Sequence, residues 1–263
     1  MTIDIAEVAA VWNKNAFLWS EFVGSGKDSY RDHFTFPAFA GFLPELKGLE
    51  IVDFGCGEGT NTRRFSAMGA RMVGVDLSSE LLSRARSAEQ SVPLGIRYVQ
   101  ASYTENTGLA SESFDGVVST MAFMDGPDVD AAMREVYRLL KPGGFMAFNV
   151  IHPCFMNRMP TWGRSSTGEI TALCVSRYFD RTPFIESMRP ISTGGSADSN
   201  RIEIPRFPRT ISDYLNAVAR SGLVLKAVDE PMPDEEMCRA IPRLKLWREH
   251  GAFVLQVLAR RPD

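Results

Sequence analysis

The sequence predicts an α/β protein built on a seven-stranded, mostly parallel sheet with an antiparallel hairpin at one edge. Three observations carry this. Short apolar runs rich in β-branched residues alternate with helix-length amphipathic segments between residues 49 and 151. A glycine-rich turn, "VDFGCGEGTNT" at 52–62, joins the first run to the first helix of that series. Two further strand-like runs then close the chain after a final helix.

In order, "LEIVDFG" reads as the first strand and "TNTRRFSAMG" as a helix closed by Gly69. "RMVGVDLS" is the second strand, followed by the helix "SELLSRARSAEQ" with Ser78 or Ser79 as its N-cap. "IRYVQA" and "FDGVVSTMAF" are the third and fourth strands. "DVDAAMREVYRLLK" is an amphipathic helix stopped by Pro142 and two glycines, and "FMAFNVI" is the fifth strand. Strands separated by helices of this length form parallel pairs with right-handed crossovers, and ligands then bind at the carboxyl ends of the strands.

Residues 152–208 break the rhythm. Clusters such as "GRSSTGE" and "STGGSADSN" surround short β-type stretches, "TALCVSRYF" and "RIEIPRF", and predict an inserted antiparallel flap. The pattern resumes with the helix "TISDYLNAVARSG" and the strands "LVLKAVDEP" and "GAFVLQVLAR". With no helix expected between them, the last two strands predict an antiparallel edge hairpin.

Composition narrows the function. A chain of 263 residues, 44% hydrophobic, can bury one substantial core as a single domain. The net charge of −3 gives no sign of a polyanion partner. "MTIDIAEVAAVWNKN" lacks a signal-peptide pattern and no apolar run is long enough to cross a bilayer, so the expectation is a soluble, cytoplasmic protein. Cys56, Cys154, Cys174 and Cys238 are scattered, so neither a metal site nor a disulfide framework is expected.

The glycine turn has three possible occupants. A triphosphate loop needs a Lys after its glycines, and none follows. The dinucleotide fingerprint G-x-G-x-x-G places its third glycine at 60, where this chain has Thr60; here the glycines are Gly55, Gly57 and Gly59. Asp53, two residues before the first glycine, is awkward beside pyrophosphate but suits an amino group or a cation. Asp76 ends the second strand, where a ribose-binding carboxylate belongs.

"VDFGCGEG", then "GVDLS", "FDGVVS" and "LLKPGGFMAF", resembles the class I S-adenosylmethionine-dependent methyltransferases in residue type, order and spacing, over roughly residues 45–151. The segments "WNKNAFLWSEF", "YRDHF" and "IHPCF" look, more narrowly, like bacterial small-molecule methyltransferases of that class. The resemblance implies a Rossmann-like fold in one domain: an N-terminal helical lid (1–44), a cofactor-binding core (45–151), an inserted substrate flap (152–208) and a final helix and hairpin (209–263). It implies S-adenosylmethionine as cofactor and methyl transfer to an O, N or C atom of a small molecule.

The resemblance also assigns residues. Asp53, Gly55, Cys56, Gly57, Gly59 and Asn61 would surround the methionine end, with the glycines allowing close backbone approach. Cys56 reads equally as a passive filler. Asp76 would accept from the ribose hydroxyls; a plain helix-capping role is its alternative. Leu77 and Met121 would flank the adenine. Ser102 and Tyr103 stand where the family commonly has an acidic residue, so the adenine amino group would be met by Ser102 or by backbone. Tyr30 and Arg31 would bind the cofactor carboxylate from the lid, or lie on a solvated face. Trp12 and Trp19 read as packing residues, with a sulfonium contact as the alternative.

For the chemistry, His152, directly after the fifth strand, is the candidate base, with His33 second and His250 connective. A loop histidine fixed by a hydrogen bond is the alternative for His152. Phe155, Trp162, Tyr178, Phe179 and Phe184 would line an apolar acceptor pocket or form the flap's own core. Two rival functions stay open: methylation of tRNA or protein, which a basic patch of Arg158, Arg164, Arg177 and Arg181 would favour, and non-catalytic cofactor binding. No nucleic acid or membrane partner is expected, and monomer and homodimer are both compatible with the sequence.

Overall fold

A computed structural model describes residues 3–24, 26–156, 158, 160–188 and 201–263. The "STGGSADSN" stretch of the expected flap lies outside the described residues. The N-terminal segment forms α1 (Ile5–Gly24), a π-helical turn at Arg31–Thr35, and α2 (Phe36–Phe42). The core then runs β1 (Glu50–Phe54), α3 (Thr60–Ala67), β2 (Arg71–Asp76), α4 (Ser79–Ser91), β3 (Arg97–Gln100), β4 (Phe114–Thr120), α5 (Val129–Leu139) and β5 (Leu140–Ile151). Ser78 caps α4 by accepting from the Leu81 N–H, and Asp128 caps α5 through Ala131. The α5 pattern buries Ala132, Met133, Val136 and Leu139 on one stripe.

After β5 come α6 (Pro153–Met156), the hairpin of β6 (Thr161–Arg164) and β7 (Ile170–Cys174), and a second hairpin of β8 (Phe184–Met188) and β9 (Ile202–Arg206). The flap is therefore two separate hairpins. The chain ends with α7 (Ile211–Arg220), β10 (Val224–Asp229), α8 (Glu235–Ala240), α9 (Leu244–His250) and β11 (Val254–Arg260). Here the expected direct hairpin is corrected. β10 and β11 do pair antiparallel, but two short helices connect them, α8 capped by Asp234. The Pro- and charge-rich composition of this connection masked its helical turns.

The main sheet has the order β10-β11-β5-β4-β1-β2-β3, parallel except around β11, which pairs antiparallel with both neighbours. One core layer packs α5 and α7 against the sheet through residues such as Met133, Val136, Phe148 and Tyr214. On the opposite face Phe39, Phe65, Leu82 and Ala85 from α2, α3 and α4 meet Ile51, Met72 and Val118. The strand order reverses direction between β1 and β4, so their carboxyl ends open a crevice there. α1 and both hairpins lie over that end.

Candidate active site

The glycine loop leaves β1 and enters α3 with its backbone tied to β2: the Gly55 and Cys56 N–H groups both donate to the Val75 carbonyl, at 2.8 and 3.1 Å. Gly57 has φ +57° and open space where a Cβ would stand. Its N–H donates to Asp76 Oδ2 at 2.8 Å, and Asp76 Oδ1 accepts from the Ser78 N–H at 2.8 Å. Burial nonetheless pushes the Asp76 carboxyl up, to about 6. Each of its oxygens keeps lone-pair capacity for one more donor.

A cavity of about 530 Å³ opens from this loop. Of the residues expected to hold the cofactor, Gly55, Cys56, Gly57, Asn61, Asp76, Leu77, Ser102, Tyr103, Met121, Tyr30 and Arg31 all line it. Asp53 and Gly59 do not, and their expected direct contacts are corrected. Asp53 is fully buried beneath the loop, where Oδ2 accepts from Thr62 Oγ at 2.6 Å; burial pushes its carboxyl up to about 7. Gly59, at φ +85°, exists as glycine because a Cβ there would stand 2.5 Å from the Tyr98 hydroxyl. It lets the loop pack down; it does not face the cavity.

Other assignments acquire definite partners. Tyr103 donates its hydroxyl to the Ala122 carbonyl at 2.9 Å and stacks on Phe54, so the cavity sees its ring and not a free hydroxyl. Ser102 Oγ bonds Thr104 Oγ at 2.7 Å. Arg31 is already committed to Asp32 and to the Val23 carbonyl. Met121 has φ +53°, uncommon for a side-chain-bearing residue, and is held there by Asn149, whose carbonyl and Oδ1 both accept from the Met121 N–H. No local sequence signal marks that backbone state.

Trp12 and Trp19, edge to face at 5.3 Å, do reach the cavity wall from α1. Trp19 Nε1 donates to Glu58 Oε2 at 3.0 Å, and Asn13 Oδ1 accepts from Ser78 Oγ at 2.7 Å. α1 is thus pinned to both turns that carry the cavity-lining residues around Gly57 and Asp76.

The two histidine assignments are corrected. His152 is buried at 1% exposure and does not line the cavity. Its Nε2 lies 2.5 Å from Glu230 Oε1, its Nδ1 accepts from the Cys154 N–H at 3.2 Å, and its ring packs on Phe155. Burial lowers its pKa, outweighing Glu230. The ring thus joins the end of β5 to the residue after β10. His33 is exposed on the π-helical turn and does not line the cavity, although Arg31 and Thr35 of the same turn do.

The far half of the cavity was only partly legible. Trp162 lines it as expected, whereas Phe155, Tyr178, Phe179 and Phe184 do not. Its other walls are Ile151, Met156, Met188, Ile204, Trp247 and Phe253, together with Asp125 and Arg206. Arg206 is half-buried and bridges Asp125 and Glu186, each at 2.6 Å. Burial raises the Asp125 carboxyl while Arg206 opposes that rise. Arg209, just before α7, reaches the Phe123 and Gly126 carbonyls at 2.7 and 2.6 Å, so the turn carrying Asp125 is clamped by Arg206 and Arg209. Among the described residues no group of His, Cys, Asp and Glu could hold a metal ion, and no helix is long and apolar enough to cross a membrane.

Residues 52–148 match the methyltransferase domain family. A protein of Aspergillus luteorubrus named probable methyltransferase ltbC is 36% identical over 225 residues, covering 80% of this chain and 76% of that one. The crystal structure of an S-adenosylmethionine dependent methyltransferase from Mesorhizobium loti superposes with a TM-score of 0.68 at 32% identity, covering 86% of this chain and 97% of the other. The chain belongs to the S-adenosylmethionine-dependent methyltransferases. A malonyl-[acyl-carrier protein] O-methyltransferase of Enterobacter lignolyticus is 35% identical over 109 residues, so the chain spans about two fifths of that relative's length, 41%.

The residues of this methyltransferase fit its cofactor, S-adenosylmethionine. Asn61 donates through Nδ2 to Thr120 Oγ at 3.0 Å, but its buried Oδ1 on the cavity wall has no partner, which suits an ammonium donor. The loop presents open space above Gly57 and no lysine for a phosphate. Asp76 offers its remaining lone pairs to hydroxyl donors at the cavity wall.

Proposed function

We propose that the protein transfers the methyl group of S-adenosylmethionine to an O, N or C nucleophile of a small molecule. One observation carries this reading: a single cavity runs from the glycine loop into a chamber walled by α1, α9 and the inserted hairpins. About 530 Å³ is the size of a small-molecule site.

When bound, the cofactor supplies a methyl group already activated by the sulfonium. The chain's part is to hold donor and acceptor in line and to exclude water. The loop at 55–57, Asn61 and Asp76 would hold the donor, with Leu77 and Met121 beside the adenine and Tyr30 and Arg31 toward the lid. Asp125, on the turn after β4, is one of the carboxylates lining the cavity. It would accept a hydrogen bond or proton from an acceptor hydroxyl, held in place by Arg206.

The surroundings of the flap arginines weigh against a macromolecular acceptor. Arg158 and Arg177 both pair with Asp180, Arg181 pairs with Asp213, and Arg164 donates to the Gly168 carbonyl. Two carboxylates thus offset two of the four charges, which halves the positive charge this patch could present to a polyanion. The test is a screen of small-molecule fractions with isotopically labelled cofactor, read by mass spectrometry. A labelled methylated product of low mass supports the reading; label entering only RNA or protein, or none despite cofactor binding, refutes it.

A further inference from the structure

Three arginines line the cavity, and two are already engaged by carboxylates of the chain. Arg31 is held by Asp32 and a carbonyl, and Arg206 by Asp125 and Glu186. Arg243, on the turn between α8 and α9, makes no hydrogen bond or ion pair through its side chain with any described residue; it lies close enough to Tyr30 to act on its hydroxyl electrostatically. It is exposed, so it sits where the cavity meets solvent. Behind it stands an aromatic wall: Tyr30 lies 5.1 Å from Phe253, Phe253 5.1 Å from Trp247, and Trp247 5.3 Å from Trp162, ring centre to ring centre.

We infer that the methyl acceptor is a planar aromatic compound bearing a carboxylate, its ring against Trp162, Trp247 and Phe253 and its carboxylate on Arg243. The inference rests on the methyltransferase reading and names its substrate class. The tilted and edge-to-face aromatic side chains offer ring edges and faces to a flat ligand, where aromatic pairs gain beyond simple burial. A guanidinium without a carboxylate of its own is a bidentate site for one brought by the ligand. Met156, packed with the same aromatic cluster, and Met188, elsewhere on the cavity lining, adapt to differing ring sizes. The arrangement separates two polar ends, Arg243 at the mouth and Asp125 on the turn after β4, so a hydroxyl on the same ring would point inward for methylation.

The test uses the full chain saturated with S-adenosylhomocysteine and calorimetric titration of matched pairs: 4-hydroxybenzoate against 4-hydroxybenzamide, and 1-hydroxy-2-naphthoate against 1-hydroxy-2-naphthamide. In at least one pair the acid is expected to bind about ten-fold tighter than the amide. Arg243→Gln should reduce that preference to under about three-fold, and Arg243→Lys should retain part of it, as a point charge without the fork. S-adenosylhomocysteine affinity should be unchanged in both variants. Equal binding of acid and amide, a preference that survives in Arg243→Gln, or failure of every probe to bind at millimolar concentration overturns the inference. Loss of S-adenosylhomocysteine binding by the unaltered protein would instead overturn the methyltransferase reading itself.

Discussion

Trp19 on the N-terminal helix donates its indole N–H to Glu58 inside the glycine loop, 3.0 Å away. This bond joins the segment that covers the cavity to the loop that would hold the cofactor. Trp19→Phe keeps an aromatic ring and removes the donor, leaving Glu58 without this partner. The expected result is about 1 kcal/mol weaker S-adenosylhomocysteine binding, roughly five- to ten-fold, appearing mainly as faster dissociation. Stopped-flow release measured on both proteins checks this; an unchanged off-rate would show that the helix does not gate the site.

Asp76 carries two duties, since its oxygens hold the Gly57 and Ser78 N–H groups as well as facing the cavity. Asp76→Ala is expected to cost about 1–3 kcal/mol of cofactor affinity and also to lower the melting temperature, because two buried backbone donors lose their acceptor. Calorimetry with thermal melts separates the two effects. Unaltered affinity alongside a lowered melting temperature would confine Asp76 to holding the loop.

Asp53 introduces a pH dependence. Its folded pKa is raised by burial to about 7 from the ordinary carboxylate value of 3.8. Between those values the folded state binds the extra proton, so its contribution to stability is present at low pH and is lost as pH rises through about 7. Asp53→Asn has no such proton to lose. Relative to the unaltered protein, the variant should therefore gain stability between pH 5 and pH 8. Urea unfolding of both proteins at the two pH values measures this, and a constant difference would mean that Asp53 is ionised throughout.

His152 is expected to matter for stability and not for chemistry. His152→Ala removes a buried ring that touches Glu230 and Phe155, with a loss of about 2–3 kcal/mol. S-adenosylhomocysteine affinity and, with an acceptor in hand, kcat should stay within two-fold. A kcat lowered by about 10² or more, with the loss confined to that step, would restore the histidine to the reaction.

The sequence made the sheet legible because its strands and helices alternate with strong apolar periodicity, and the 52–62 turn marked the end of the sheet that carries the cavity. The residues around Gly57 and Asp76 followed from that turn because their positions are set by a few local bonds. His152 misled because chain position places it at the right edge of the sheet, whereas side-chain direction depends on Glu230, 78 residues away. Asp125 and Arg206 escaped notice for the same reason: their pairing spans 81 residues and has no local pattern. α8 and α9 were obscured by Pro231, Pro233 and Pro242, which read as breakers but here flank or separate the two short helices.

The central claim is that the glycine-loop cavity holds S-adenosylmethionine, and one titration tests it most directly. Calorimetry of the purified chain with S-adenosylhomocysteine, and separately with NAD, should give saturable one-to-one binding of the first near micromolar, about −8 kcal/mol, and no heat from the second. Saturable binding of NAD with no response to S-adenosylhomocysteine would contradict it.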